Sequence, residues 1–296
     1  MRATSSILSI IFVIILNRYG YSQVKNPDKK SVEITYIANE GFLIDAGGKK
    51  VLIDGLFGDK EYSFCETPDS SQRDSIINGR GIFAGIDLVA VTHPHSDHFY
   101  APFVAVCLQN NPQTNFISCK QSVDKLAKTD QYMDIRNRVF EITPDSLTYA
   151  DTGINGIDVR VYRLIHGPYY VDDPQTGEKV NRHRNIQNLG YLFTINGIKI
   201  FHCGDSNPVC ASDYEHFQLE KENIDIAFLG RGFLLFREEK GLNIIRKNMQ
   251  PENIIIMHIS PGQKERCREV AEEVKGEFPN ILVFENKMET KSYLFE

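Results

Sequence analysis

Asp87-Leu88-Val89-Ala90-Val91-Thr92-His93-Pro94-His95-Ser96-Asp97-His98 is the stretch from which the rest of the chain can be read. Its first half is apolar and β-branched, the pattern of a short buried strand. Its second half packs three imidazoles and a carboxylate into six residues, in a chain with only eight His. A rigid strand that delivers several such side chains to one loop lets them converge on one point. Imidazole with carboxylate is a donor set for zinc, manganese or iron rather than calcium. The loop is therefore expected to hold metal.

Other strand ends carry matching groups. His166 follows Val159-Arg160-Val161-Tyr162-Arg163-Leu164-Ile165, Gly204-Asp205 follows Ile200-Phe201-His202-Cys203, and His258 follows Ile254-Ile255-Ile256-Met257. Each alone reads as an edge residue or a turn. In series with the His-rich loop they suggest several strands feeding one site.

Around these, strands are expected over 32–37, 41–45, 50–54, 114–118, 139–143, 157–165, 189–195, 198–202, 224–229, 253–258 and 281–284. Helices are expected over 102–109, 123–128, 238–248 and 264–275. Ala46-Gly47-Gly48 and Asn196-Gly197 are hairpin-turn signals. Residues 57–85 show no clear period, and 167–188 reads as a loop rich in Tyr, Asp, Arg and Asn.

The 296 residues carry a formal charge of −6. Arg2 precedes an apolar run over 7–16, and Gly20-Tyr21-Ser22 then offers a small-x-small cleavage site. The run is short for a bilayer span. Residues 1–22 are thus expected to be an export signal, an uncleaved anchor being the alternative. The mature protein, 23–296, is expected to be a single domain, periplasmic or extracellular, with no membrane span. Cleavage removes Arg2 and Arg18 but no acid, moving the charge from −6 to −8. That acidity argues against a nucleic-acid partner. Six Cys lack C-x-x-C spacing, so no zinc ribbon is expected, and Cys107, Cys119 and Cys203 read as buried thiols.

The ordered series His-x-His-x-Asp-His, His166, Gly204-Asp205 and His258, with Asp54 closing the early strand Val51-Leu52-Ile53, resembles the metallo-β-lactamase superfamily. The likeness runs from Val32 to the C-terminus. Leu189-Gly190-Tyr191 with Lys199 to Asp205 is similar to the lactonase and N-acyl phosphatidylethanolamine phospholipase D branch. The resemblance implies an α/β fold, a four-layer αββα sandwich of two mixed sheets with helices on both outer faces. It implies two divalent ions, zinc foremost with manganese or iron as alternatives. His93, His95 and His166 would hold the first, Asp97, His98 and His258 the second, and Asp205 would bridge. His183 competes with His166 for its place. Asp54 would orient a ligand through its other ring nitrogen, and His202 would pack in the strand or behind the ligands.

The activity implied is hydrolysis of an ester, lactone, amide or phosphodiester in a small or lipid-like substrate by a metal-activated hydroxide, with Asp97 and Asp205 catalytic. An iron-dependent dioxygenase and a non-catalytic metal-binding scaffold are the alternatives. Tyr169, Arg182, Arg184 and Arg231 are candidate substrate contacts; the alternative for the two loop arginines is pairing with Asp172, Asp173 and Glu178.

Overall fold

A computed structural model describes residues 30–58, 60–236 and 239–296. The expected export signal over 1–22 lies outside them. No helix among the described residues is long and apolar enough to cross a membrane.

Sixteen strands form among the described residues: β1 (Lys30–Ala38), β2 (Gly41–Ala46), β3 (Lys49–Ile53), β4 (Leu88–Ala90), β5 (Asn115–Ser118), β6 (Val139–Glu141), β7 (Tyr149–Ile154), β8 (Ile157–Leu164), β9 (Tyr170–Asp172), β10 (Lys179–Asn181), β11 (Asn188–Ile195), β12 (Ile198–His202), β13 (Ile226–Gly230), β14 (Asn253–Met257), β15 (Ile281–Val283) and β16 (Thr290–Phe295). Two seven-stranded sheets result, ordered β16-β1-β2-β3-β4-β5-β6 and β15-β14-β13-β12-β11-β8-β7. Each is mixed, antiparallel at the hairpins and parallel from β3 to β6 in one sheet and from β12 to β15 in the other.

Side-chain alternation explains the layering. In the first sheet Phe42, Ile44, Val51, Ile53, Leu88 and Ala90 join the core shared with the second sheet. Their neighbours Leu43, Leu52 and Val89 turn the other way, onto the helices Ser70–Ile77, Ala101–Asn110 and Lys120–Leu126. The Phe42 and Phe228 rings meet between the sheets with centroids 4.5 Å apart. The helices Gly232–Leu235, Lys240–Ile244 and Lys264–Glu273 pack Phe233, Leu242, Cys267 and Val270 onto the second sheet's core. The architecture is the expected one: two mixed sheets with helices around them.

Several elements differ from expectation. Asp69 and Gln72 cap each other reciprocally and start a helix at Ser70, inside the stretch without period. Asn155-Gly156, both at positive φ, turn β7 into β8 as Asn196-Gly197 turn β11 into β12, which adds a strand over Tyr149–Ile154 to those expected. The stretch 167–188 contains the hairpin β9–β10 rather than being plain loop. The helix expected over 238–248 is described from Lys240 and passes into a π turn over Ile245–Met249. All six cysteines are thiols, with Cys107, Cys119 and Cys203 buried as expected.

Candidate metal centre

One edge of the sandwich collects the polar groups. Glu40 sits in the turn between β1 and β2, Asp54 follows β3, and the His93–His98 loop follows β4. From the second sheet, His166 follows β8, Asp205 follows β12 and His258 follows β14. Asp54 (φ 43) and His258 (φ 56), and Gly204 (φ 54) just before Asp205, take left-handed backbone where their strands end.

Two groups of donors share one carboxylate. Asp205 Oδ2 lies 3.4 Å from His166 Nε2 and 3.7 Å from His93 Nε2. Its Oδ1 lies 3.6 Å from His98 Nε2 and 3.5 Å from His258 Nε2. His95 Nδ1 faces His93 Nε2 at 3.0 Å, closing the first group. Asp97 Oδ2 stands 3.4 Å from His258 Nε2 and 3.6 Å from His98 Nε2, closing the second. All seven residues that the sequence nominated as ligands thus meet in one place.

The other ring nitrogens fix which atom faces the centre. His166 Nδ1 is 2.7 Å from the Gly167 carbonyl oxygen, which only accepts, so Nδ1 carries the proton and Nε2 presents its lone pair. His98 Nδ1 donates to Asp54 Oδ2 at 2.9 Å. The Thr92 hydroxyl donates to Asp54 Oδ2 at 2.6 Å and can therefore accept from His93 Nδ1, 3.0 Å away. His258 differs: its Nδ1 lies 2.7 Å from Arg231 Nη1, which only donates and also bonds the His258 carbonyl.

The Nε2 atoms of His98, His166 and His258 are buried without a hydrogen-bond partner. Buried polar nitrogens left unpaired are costly, and here they converge with carboxylates, so the donor set fits divalent metal. Electrostatics agree. Burial holds His93 well below the ordinary imidazole range and His95 down to about 4, with the neighbouring imidazoles adding to both. Burial works against His98 too, yet Asp205, Asp97 and Asp54 outweigh it and raise it to about 10. Burial likewise opposes ionisation of Asp97 and Asp205, but facing imidazoles bring Asp97 to about 2 and Asp205 well below the carboxylate range. A cation suits this excess of negative charge.

Four residues missed in the sequence help build the site. Asn39 Nδ2 donates to the Asp97 backbone carbonyl at 3.1 Å. Asn188 Oδ1 accepts from the Asp205 N–H at 3.1 Å. Thr92 relays Asp54 to His93, as above. Glu40 lines the cavity at 1% exposure. An Asn in a turn or at a strand start is too common to stand out, and Glu40 lies some fifty residues before the His-rich loop in sequence.

A cavity of about 670 Å³ opens over the centre, with Phe64, Tyr169, Phe233 and Phe236 among its walls. Tyr169 lines it, and so does His183, 4.4 Å, centroid to centroid, from His166. His183 does not belong to the donor groups, whereas His166 does. Arg182 and Arg184, expected as substrate contacts, lie in the turn after β10, exposed and not among the residues that line the cavity. Neither forms an ion pair with Asp172, Asp173 or Glu178 among the described residues. Arg231 lines the cavity but directs Nη1 to His258. His202 is buried, its Nε2 3.1 Å from the Glu40 carbonyl.

Residues 33–258 match the model of the beta-lactamase superfamily domain. The chain belongs to the metallo-β-lactamase superfamily. Over 230 residues it is 22% identical to a metal-dependent hydrolase from Pyrococcus furiosus, covering 77% of this chain and 84% of that one. Igni18, a metallo hydrolase from Ignicoccus hospitalis, shares the fold with a TM-score of 0.59 at 16% identity, over 90% of this chain and 100% of that chain. CmlA, a diiron β-hydroxylase from Streptomyces venezuelae, gives 0.55 at 12% identity over 91% of this chain and 55% of its own.

Proposed function

We propose that this protein is a metal-dependent hydrolase working with two divalent ions, one against His93, His95 and His166 and the other against Asp97, His98 and His258. The observation that carries this reading is Asp205, whose two oxygens face one histidine group each at 3.4–3.7 Å. When bound, such ions lower the pKa of a shared water toward neutrality and polarise a carbonyl or phosphoryl oxygen.

The chain's own residues supply the rest. Asp205, fixed through its N–H by Asn188, sets the line between the two positions. Asp97, ionised at neutral pH, is held at the cavity floor by Asn39 and can accept a proton there. Phe64, Tyr169 and Phe236 are each about half exposed at the cavity. Such rings suit an apolar substrate portion and exclude water from the reacting bond. Together with the motif likeness to the lactonase and phospholipase branch, this supports an ester, lactone or phosphodiester in a small or lipid-like molecule. Zinc is the proposed metal at the three-histidine position.

Elemental analysis of protein purified without added metal or chelator tests this first. About two ions per chain, with hydrolysis in a panel of lactones, esters and phosphodiesters, is expected. No uptake after reconstitution with zinc, manganese and iron would overturn it. One iron with oxygen consumption would point to oxidative chemistry.

A further inference from the structure

Glu40 is 1% exposed, and no N–H or hydroxyl donor reaches its carboxylate, which instead faces the carboxylate of Asp205. It forms no ion pair with Lys or Arg among the described residues. Its nearest positive partner is His98 Nδ1 at 3.5 Å, but that proton is already engaged by Asp54 at 2.9 Å. A buried carboxylate in this condition is among the costliest groups a fold can hold. Its placement is nonetheless over-determined. Asn39 before it takes left-handed backbone (φ 53), the Glu40 carbonyl accepts from His202, and Gly41 lies where a Cβ would come 2.8 Å from the Asp54 carbonyl oxygen.

Glu40, His98, Asp205 and His258 each offer a donor atom, and these atoms lie within 4.8 Å of one another. Asp97 approaches the same two imidazoles. The second position thus collects three carboxylates and two imidazoles, against three imidazoles and one shared carboxylate at the first. His258 offers its Nε2 lone pair only as the Nδ1–H tautomer, for which the Arg231 guanidinium 2.7 Å away is no acceptor, so it is the less favourable of the two imidazoles. Two dications carry +4, and Glu40 brings the facing carboxylates to −3, close to balance. Carboxylate-rich sets suit harder ions such as Mn²⁺, while imidazole-rich sets suit Zn²⁺.

Building on the two-ion reading above, we propose that Glu40 supplies a carboxylate oxygen to the ion held by Asp97, His98, Asp205 and His258, making that position selective for a harder ion than its neighbour. The two positions are then unequal, and a mixed pair such as Zn²⁺ with Mn²⁺ is the preferred state.

The test reads metal binding on the full chain without substrate. Metal-stripped wild-type protein, dialysed against equimolar Zn²⁺ and Mn²⁺, is expected to retain about one of each by elemental analysis. Bound Mn²⁺ should give an electron paramagnetic resonance spectrum distinct from the hydrated ion. Glu40→Gln, which keeps shape and removes charge, should weaken Mn²⁺ by about 10- to 100-fold and leave Zn²⁺ at the three-histidine position unchanged. Glu40→Asp, which keeps the charge but withdraws the oxygen, should fall between. Two Zn²⁺ and no Mn²⁺ in the wild type would overturn the proposal whether or not the variants fold. So would unchanged Mn²⁺ affinity and spectrum in folded Glu40→Gln, which would leave Glu40 as a neutral buried acid. Hydrolysis is scored separately: absent turnover with the expected metal selectivity would defeat the hydrolase reading alone.

Discussion

Asp54 Oδ2 lies 2.9 Å from His98 Nδ1, and the same oxygen receives the Thr92 hydroxyl that stands 3.0 Å from His93 Nδ1. One carboxylate therefore orients a histidine of each donor group. It is in turn pinned by the Thr92 N–H, which donates to its Oδ1 at 2.8 Å. Asp54→Asn keeps the size and tolerates the left-handed backbone, but weakens the acceptor. Metal titration should show affinity reduced by about 10- to 100-fold at both positions. A loss confined to the His98 position would disprove the Thr92 relay.

Gly204 brings β12 to Asp205 at φ 54, and a Cβ there would stand 2.5 Å from Asn188 Oδ1 and 2.9 Å from the Leu189 carbonyl oxygen. Gly204→Ala therefore combines backbone strain with displacement of the residue that holds the Asp205 N–H. A destabilisation of about 1–3 kcal/mol in denaturant melts is expected, with reduced metal uptake. Wild-type stability in this variant would refute the clash.

Phe228 in β13 is fully buried against Phe42 of the facing sheet. Phe228→Ala should cost about 3–5 kcal/mol of unfolding free energy, since it leaves a void between the sheets. The folded fraction should still take up metal, because no ligand is altered. Stoichiometry measured below the melting temperature checks this.

The metal-free chain should lose stability on both sides of about pH 6.5, the ordinary imidazole value. Burial holds His202 and His95 down to about 4. Between about 6.5 and 4 the unfolded chain binds protons that the folded chain does not, so stability present above 6.5 is lost as pH falls through that window. His98 has the opposite sign. Raised to about 10, it contributes stability fully present below 6.5 and lost as pH rises through 10. Urea midpoints from pH 4 to 10 should peak near 6.5, and His202→Gln should flatten the acid limb.

Arg182 and Arg184 lie outside the cavity, whereas Arg231 holds His258. Once a substrate is found, Arg182→Ala and Arg184→Ala should change kcat/KM by less than about twofold. Arg231→Ala should alter metal retention at the His258 position. Comparable kinetic losses in all three would mean that the hairpin folds over the substrate.

Local chemistry made much of this protein legible. Apolar runs across 41–45 and 50–54 marked strands buried on both faces, Gly47-Gly48 marked the hairpin between them, and Asn196-Gly197 marked the one between β11 and β12. The His-rich loop declared itself because dense imidazoles after an apolar run are rare without a ligand. Less legible were β7, whose Asn155-Gly156 turn was the available signal, and β16, an edge strand with no buried residue that opens on the polar Thr290-Lys291-Ser292. The helix at Ser70 carries its signal in the Asp69–Gln72 capping pair rather than in periodicity.

Ligand types and their order along the chain were set by the sequence alone, because each follows its own strand and strand ends are local. Which oxygen of Asp205 faces which histidine, that Asp54 serves two of them, and that Glu40 is buried beside them without a donor were decided only by the packing of two sheets. These relationships join residues from both halves of the chain. Side chains far apart in sequence acquire a common environment, and with it their charge state and chemistry, only when the shared core brings the strand ends together.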